Sequence, residues 1–189
     1  NESDENVKLQ KYSDSFSWLG NQNNPPDIII KEGDAIEVKK NQSANTDIAL
    51  NSSFPKSKLK SDDKMIVDGC RSCENWIEKD LIYSIGHTSD DSIKSIWMVY
   101  GSIYCANNET YEIIKQKISN GINEIPNVEL AVTNELGRVN RVDPLGITNL
   151  RIRGMWTIQN PRKVFDYIYR SQNKKFELVV LIPLTKYLT

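Results

Sequence analysis

Apolar and polar positions change period several times along this chain, and each change marks a predicted element. Over residues 1–19, Val7, Leu9, Tyr12, Phe16 and Leu19 recur at roughly helical spacing, and Gly20 follows as a stop. Ile28-Ile29-Ile30 and Ala35-Ile36 flank Glu32-Gly33-Asp34, so strands near 27–31 and 35–40 are expected to fold back as a hairpin with a tight turn around Gly33. Residues 41–64 carry turn formers and lysines and read as a long polar connection. A helix is predicted over 62–76, with Met65, Ile66, Gly69, Cys70 and Cys73 along one side. β-rich apolar runs at 81–86 and 95–106 predict buried strands. A helix over 109–122 has Glu109 and Glu112 in its first turn and Gly121 at its end. VELAVT at 128–133 predicts another strand, and Asn160-Pro161 reads as the cap and first position of a helix over 160–170. FELVVLIPL at 176–184 predicts a closing buried strand. This irregular alternation predicts an α/β fold, a mixed central sheet flanked by helices, in a single domain over 1–189.

Composition changes that picture little. At 189 residues the chain can bury a core without staples, and a net charge of -1 gives no global argument for a nucleic-acid or membrane partner. The distribution is more informative: five of the seven arginines (Arg138, Arg141, Arg151, Arg153 and Arg162) fall where Asp143 is the only acid. No apolar run reaches transmembrane length and no signal-peptide pattern is present, so no membrane role is expected. Three cysteines, an odd number, argue for a reducing, cytoplasmic compartment rather than a disulfide framework. The chain opens on NESDEN without Met, and is expected to be the C-terminal portion of a longer protein. Cys70 and Cys73 form a CxxC without a second pair, so packing is the better reading of both; His87 is the only histidine, so neither a ββα-metal nuclease nor a His-based two-metal hydrolase is expected.

The candidate chemistry lies in the hairpin. Alternation along the second strand sends Ile36 and Val38 to one face, expected to anchor it, and Glu37 and Lys39 together to the other. Asp27, stiffened by Pro25-Pro26, begins the first strand, and the turn brings it towards Glu37. Two carboxylates and an ammonium at one end of a sheet suit metal-assisted phosphodiester hydrolysis. Asp27 and Glu37 offer hard oxygen ligands for Mg²⁺. Lys39 can orient or help deprotonate the attacking water and offset charge on the phosphate. As residues alone, the same alternation also fits an ordinary half-exposed strand.

Pro26-Asp27 with Glu37-Val38-Lys39 resembles the PD-(D/E)XK nuclease motif. PPDIIIKEGDAIEVKK (25–40), ALNSSFPKSKLKSDD (49–63) and RVNRVDPLGITNLRIRGMW (138–156) resemble the NgoPII family of type II restriction endonucleases, in the family's order. The resemblance implies a bacterial, Mg²⁺-dependent homodimer that cuts both strands of double-stranded DNA at a short palindrome, with GGCC the associated site. Asp27 and Glu37 take the metal places and Lys39 that of the catalytic lysine. Glu5 is the candidate for an additional carboxylate from the first helix. A G·C site asks for guanine readers, which Arg and Lys supply, while Asp can accept from cytosine. Arg138, Asn140, Arg141, Asp143, Arg151 and Arg153 are the candidates, with Arg151 and Arg153 on one face of a strand. Asn51, Ser52, Ser53, Lys56 and Lys58 carry phosphate-contacting chemistry. A structure-specific or repair nuclease of the same fold, and a DNA-binding module without catalysis, remain the alternative readings.

Overall fold

The computed structural model describes residues 2–21, 24–51, 53–168 and 173–182. A helix, α1 (Glu2–Ser15), leads into three successive strands, β1 (Phe16–Asn21), β2 (Asn24–Ile30) and β3 (Ala35–Asn41). The hairpin is therefore present close to its expected bounds, but the first helix stops at Ser15. Phe16 and Trp18 instead pair across to Ile30 and Ile29. Helical spacing among five apolar residues could not reveal this, because aromatic residues gain as much from a sheet neighbour as from a helix face. At the turn it is Glu32, not Gly33, that takes the left-handed conformation, with φ of 58°.

After the hairpin come β4 (Ile48–Asn51), β5 (Lys58–Lys60), a single turn α2 (Asp68–Arg71), and the long strands β6 (Glu78–Ser89) and β7 (Ser92–Tyr100). The central sheet has the order β1-β2-β3-β6-β5, with β7 also pairing to β6. β3 and β6 run parallel, from Ala35↔Leu81 to Asn41↔His87, whereas the other pairings are antiparallel. A parallel neighbour requires a crossover, and residues 42–77 supply it. Residues 41–64 within it are thus not simply the polar connection expected from their composition: Ile48, Leu50 and Leu59 there are core residues. The large apolar residues of that segment, Ile48, Leu50, Phe54 and Leu59, are spaced among polar ones, and register rather than density places the three in strands inwards. The helix expected over 62–76 shrinks to α2, whose Cys70 is buried and unpaired.

The strand expected to run to Ala106 ends at Tyr100, where α3 (Gly101–Tyr104) turns the chain into α4 (Asn108–Asn123). β8 (Glu129–Leu130), β9 (Gly137–Asn140) and β10 (Leu150–Ile152) form a second, antiparallel sheet. β11 (Trp156–Ile158) pairs with β4, and α5 (Pro161–Val164) follows, with Asn160 Oδ1 accepting from Arg162 N at 3.0 Å as its cap. Residues 176–182 join no strand among the described residues and Phe176 is 82% exposed, in contrast to the expected buried strand; residues 183 and 184 lie outside the described residues.

The core gathers Ile29, Ala35, Leu59, Cys70, Leu81, Tyr83 and Ile85 under the central sheet. Pairing fixes which face of β3 it lies on. Glu37 is opposite Tyr83 and Lys39 opposite Ile85, both buried, so the two charged residues share the covered face with Ala35. Val38, opposite Ser84 and 46% exposed, lies on the other face. The expectation that Val38 anchors the strand is thereby reversed, and the site residues themselves point inwards.

Candidate active site

Asp27 lies beside the strand that carries Glu37, where the β2–β3 ladder opens. The paired rungs are Ile28↔Ile36 and Ile29↔Ala35. One rung further, the Asp27 side chain takes the place of backbone: its Oδ2 accepts from Val38 N at 2.6 Å. That bond fixes the carboxylate beside the strand that carries Glu37. Trp18 Nε1 donates to Pro26 O at 3.2 Å and holds the start of β2. Gly20, read from the sequence as a helix stop, sits within β1 where a Cβ would lie 3.1 Å from both Cα and O of Asp27 and closer still to Pro26 O. Only a residue without a side chain lets β1 approach Asp27 this closely.

Lys39 Nζ donates to Glu37 Oε1 at 2.7 Å, and the Glu37 side chain is only 17% exposed. Its second oxygen, Oε2, is buried with no hydrogen-bond partner among the described residues. Burial pushes the Glu37 carboxyl above its ordinary range; Lys39 pulls against this, Asp27 adds to it, and Lys56 opposes it. A buried, unsatisfied carboxylate oxygen beside a second carboxylate is costly by itself and is suited to a cation. Mg²⁺ takes one or two carboxylates and keeps its remaining positions for water and phosphate, so the Asp27–Glu37 pair fits it. The structure does not add Glu5 to that pair: it is exposed on α1, and among the described residues no three His, Cys, Asp or Glu side chains cluster.

The loop after β4 closes over this region. Lys56, read from the sequence as a phosphate contact, is buried and ion-paired to Asp63, with Nζ 4.4 Å from the centroid of the Phe54 ring. Lys56 N donates to Tyr83 Oη at 2.7 Å, and Tyr83 Oη donates to Lys56 O at 3.3 Å. Since Tyr83 is the register partner of Glu37, one phenol ties the loop to the strand beside the site. Burial pushes the Tyr83 phenol well up, so it stays protonated and able to donate. Gly101 allows the same closure, because a Cβ there would sit 2.6 Å from Ser57 O. Lys58 is held on β5 by Glu78 at 2.8 Å and Asp80 at 3.7 Å. Asn51 ends β4 opposite Trp156, Ser53 N donates to Leu50 O at 3.2 Å, and Ser52 lies outside the described residues. The roles of Tyr83, Asp63, Gly20 and Gly101 went unnoticed in the sequence; only Asp63, within the 49–63 block, gave a signal.

The arginine-rich segment forms the second sheet. Arg138 and Arg151 face each other across β9 and β10. Arg138 Nε donates to Asn140 Oδ1 at 3.1 Å, Arg141 pairs with Glu129, and Arg151 and Arg153 both pair with Glu135. Asp143 does not project freely: its carboxylate accepts from Leu145 N at 3.0 Å and Thr148 N at 2.6 Å, shaping the turn that contains Gly146.

A mixed sheet flanked by helices, with a carboxylate pair and a lysine at its hairpin, is a restriction-endonuclease-like α/β architecture. The family model for the NgoPII restriction endonuclease matches residues 1–189, and the chain belongs to that family. It is 49% identical over 180 residues to the Type II restriction enzyme NgoPII of Neisseria gonorrhoeae, an alignment covering 94% of this chain and 65% of that protein. No solved structure matches it.

Proposed function

We propose that this chain is the catalytic and DNA-binding domain, over residues 1–189, of a type II restriction endonuclease that cuts double-stranded DNA at a short palindrome, GGCC, in a Mg²⁺-dependent reaction. The observation that carries the reading is the buried Glu37 Oε2, without a hydrogen-bond partner among the described residues, on a carboxylate that Lys39 holds and next along the strand to Val38, whose N–H holds Asp27. Family membership and the similarity to the Neisseria enzyme support the same class of activity.

In this reading the site is of the PD-(D/E)XK kind, and Asp27 and Glu37 hold Mg²⁺. When bound, the ion supplies neutralisation of phosphate charge and acidifies water. Lys39 holds the attacking water in line with the scissile bond and takes up part of the charge that builds on the phosphate. Water attack displaces the 3′ oxygen and leaves a 5′-phosphate. The bond from Val38 N keeps Asp27 fixed during this step, so geometry is preset rather than assembled by substrate. Arg138, Asn140, Arg141, Arg151 and Arg153 supply the base-reading and phosphate-contacting face, and Asp143, read from the sequence as a base reader, shapes the turn between β9 and β10 instead. Asn51, Ser52, Ser53 and Lys58 contact phosphates alongside the site, and Lys56 supports them from beneath. Glu5, exposed on α1, is the candidate for an additional carboxylate. Two copies related by a two-fold axis match the palindrome, each cutting one strand. The enzyme acts in the bacterial cytoplasm; no described helix is long and apolar enough to cross a membrane.

Single replacement of Asp27, Glu37 or Lys39 by Ala in the full-length protein tests the assignment. Cleavage of a GGCC duplex is expected to drop by about 10³-fold or more while duplex binding persists. A Lys39→Ala enzyme cutting at the normal rate refutes the role given to Lys39.

A further inference from the structure

One carboxylate organises two of the candidate DNA-reading arginines. Arg151 donates to Glu135 through Nε at 3.0 Å and Nη2 at 2.8 Å, a side-on fork, and Arg153 Nε donates to the same carboxylate at 2.5 Å. Glu135 is itself anchored. Its N donates to Thr133 Oγ1 at 3.1 Å, and the next amide, Leu136 N, donates to Ile152 O at 3.1 Å, between the two arginines in sequence. The Glu135 side chain is 17% exposed, whereas those of Arg151 and Arg153 are 55% and 57% exposed. The carboxylate lies beneath and the guanidinium groups lie above it.

A guanidinium is a planar fork of five N–H donors. For Arg151, held along Nε and Nη2, this leaves the outward N–H bonds of Nη1 and Nη2 directed away from the carboxylate; for Arg153, held through Nε, it leaves the pair of Nη groups. That terminal pair is the one that meets O6 and N7 of a guanine. Held in this way, the side chain has already lost the rotamer freedom it would otherwise lose on binding.

We propose that Glu135 is a specificity-determining positioning residue: its carboxylate fixes the planes of Arg151 and Arg153 so that their terminal N–H pairs read guanines, and its charge keeps both from gripping phosphates indiscriminately. The inference rests on the nuclease reading above and adds a residue outside the arginine-rich segment. The same pair of arginines draws the Glu135 carboxyl below its ordinary range, which keeps it ionised for this task. Both guanidinium partners are more than half exposed, where ion pairs contribute little to stability, so the variant is expected to fold.

The test uses full-length protein and three duplexes: the site the wild type cuts, that site with one base pair changed, and a random sequence lacking it. For Glu135→Gln, the ratio of cleavage rates on the first two is expected to fall about tenfold or more. Affinity for the random duplex is expected to hold or tighten, because an acid has left a basic face. An unchanged ratio overturns the proposal, and so does a parallel loss of random-duplex affinity, which would mark a purely structural role. Should Glu135→Gln fail to fold, the same measurement is made on Glu135→Asp, which keeps the charge but withdraws it from both arginines; wild-type discrimination there overturns the proposal. A wild-type protein with no affinity for any duplex overturns the nuclease reading and this inference together.

Discussion

Breaking the Lys56–Asp63 pair separates a buried structural ion from a DNA contact, and the structure sets the sizes. Lys56 is 5% exposed at the side chain and Asp63 17%. Removing one member of a buried pair costs about 3–5 kcal/mol, since the other is left as an uncompensated charge. Asp63→Ala strands the more buried group and belongs near the upper end, about 4–5 kcal/mol. Lys56→Met strands Asp63, which keeps some water and still accepts from Met65 N at 2.8 Å, and puts a thioether end where Nζ lay over the Phe54 ring; it belongs near about 3 kcal/mol. At roughly 2–4 °C per kcal/mol for a domain of this size, Lys56→Met lowers the melting temperature by roughly 6–12 °C. The double variant Lys56→Met/Asp63→Leu removes both charges and is expected to recover most of the loss, giving a favourable coupling energy in urea-melt double-mutant cycles. Single variants within about 1 kcal/mol of wild type refute the reasoning. So does a Lys56→Met protein of normal stability whose DNA affinity loses about one unit of salt slope, because that is the signature of a phosphate contact.

Glu37→Gln is expected to stabilise the protein in chelator at neutral pH. Its carboxyl is raised above the ordinary value of 4.5, so the folded charge costs stability above that value and costs nothing below it. Urea melts at pH 7 and pH 4 check this; the gain should be present at the first and vanish at the second. Gly20→Ala is expected to cost about 1–3 kcal/mol and to lower cleavage more than DNA binding, since its methyl group must displace the Pro26-Asp27 backbone. Equal cleavage by this variant would show that Asp27 tolerates movement.

The hairpin was legible because its information is local: Ile28-Ile29-Ile30 and the turn around Gly33 fix both strands within eighteen residues. The alternation of Glu37 and Lys39 was legible for the same reason, but which face they share was not. Which face of β3 is covered depends on Leu81, Tyr83 and Ile85, which pair with it only after a crossover from residue 42 to residue 77. Lys56 illustrates the other limit. A lysine among Ser53, Ser57 and Lys58 looks solvated in sequence, and only Asp63, Phe54 and Tyr83 make it internal. Glu135 escaped attention because its partners, Arg151 and Arg153, are brought to it by the β9–β10 pairing rather than by spacing. In FELVVLIPL the apolar run signals a demand for burial but does not say against what, and residues 176–182 join no strand among the described residues and are exposed.

The central claim is that Asp27, Glu37 and Lys39 form the metal-dependent cutting site of a sequence-specific nuclease, and a digest of DNA of known sequence by the full-length protein, mapped to single bases, tests it most directly. With Mg²⁺ the account predicts discrete cuts at GGCC on both strands, each leaving a 5′-phosphate, and no cuts in chelator or with Glu37→Ala. Scattered ends, cutting only at branched DNA, or discrete cutting that survives Glu37→Ala would contradict it.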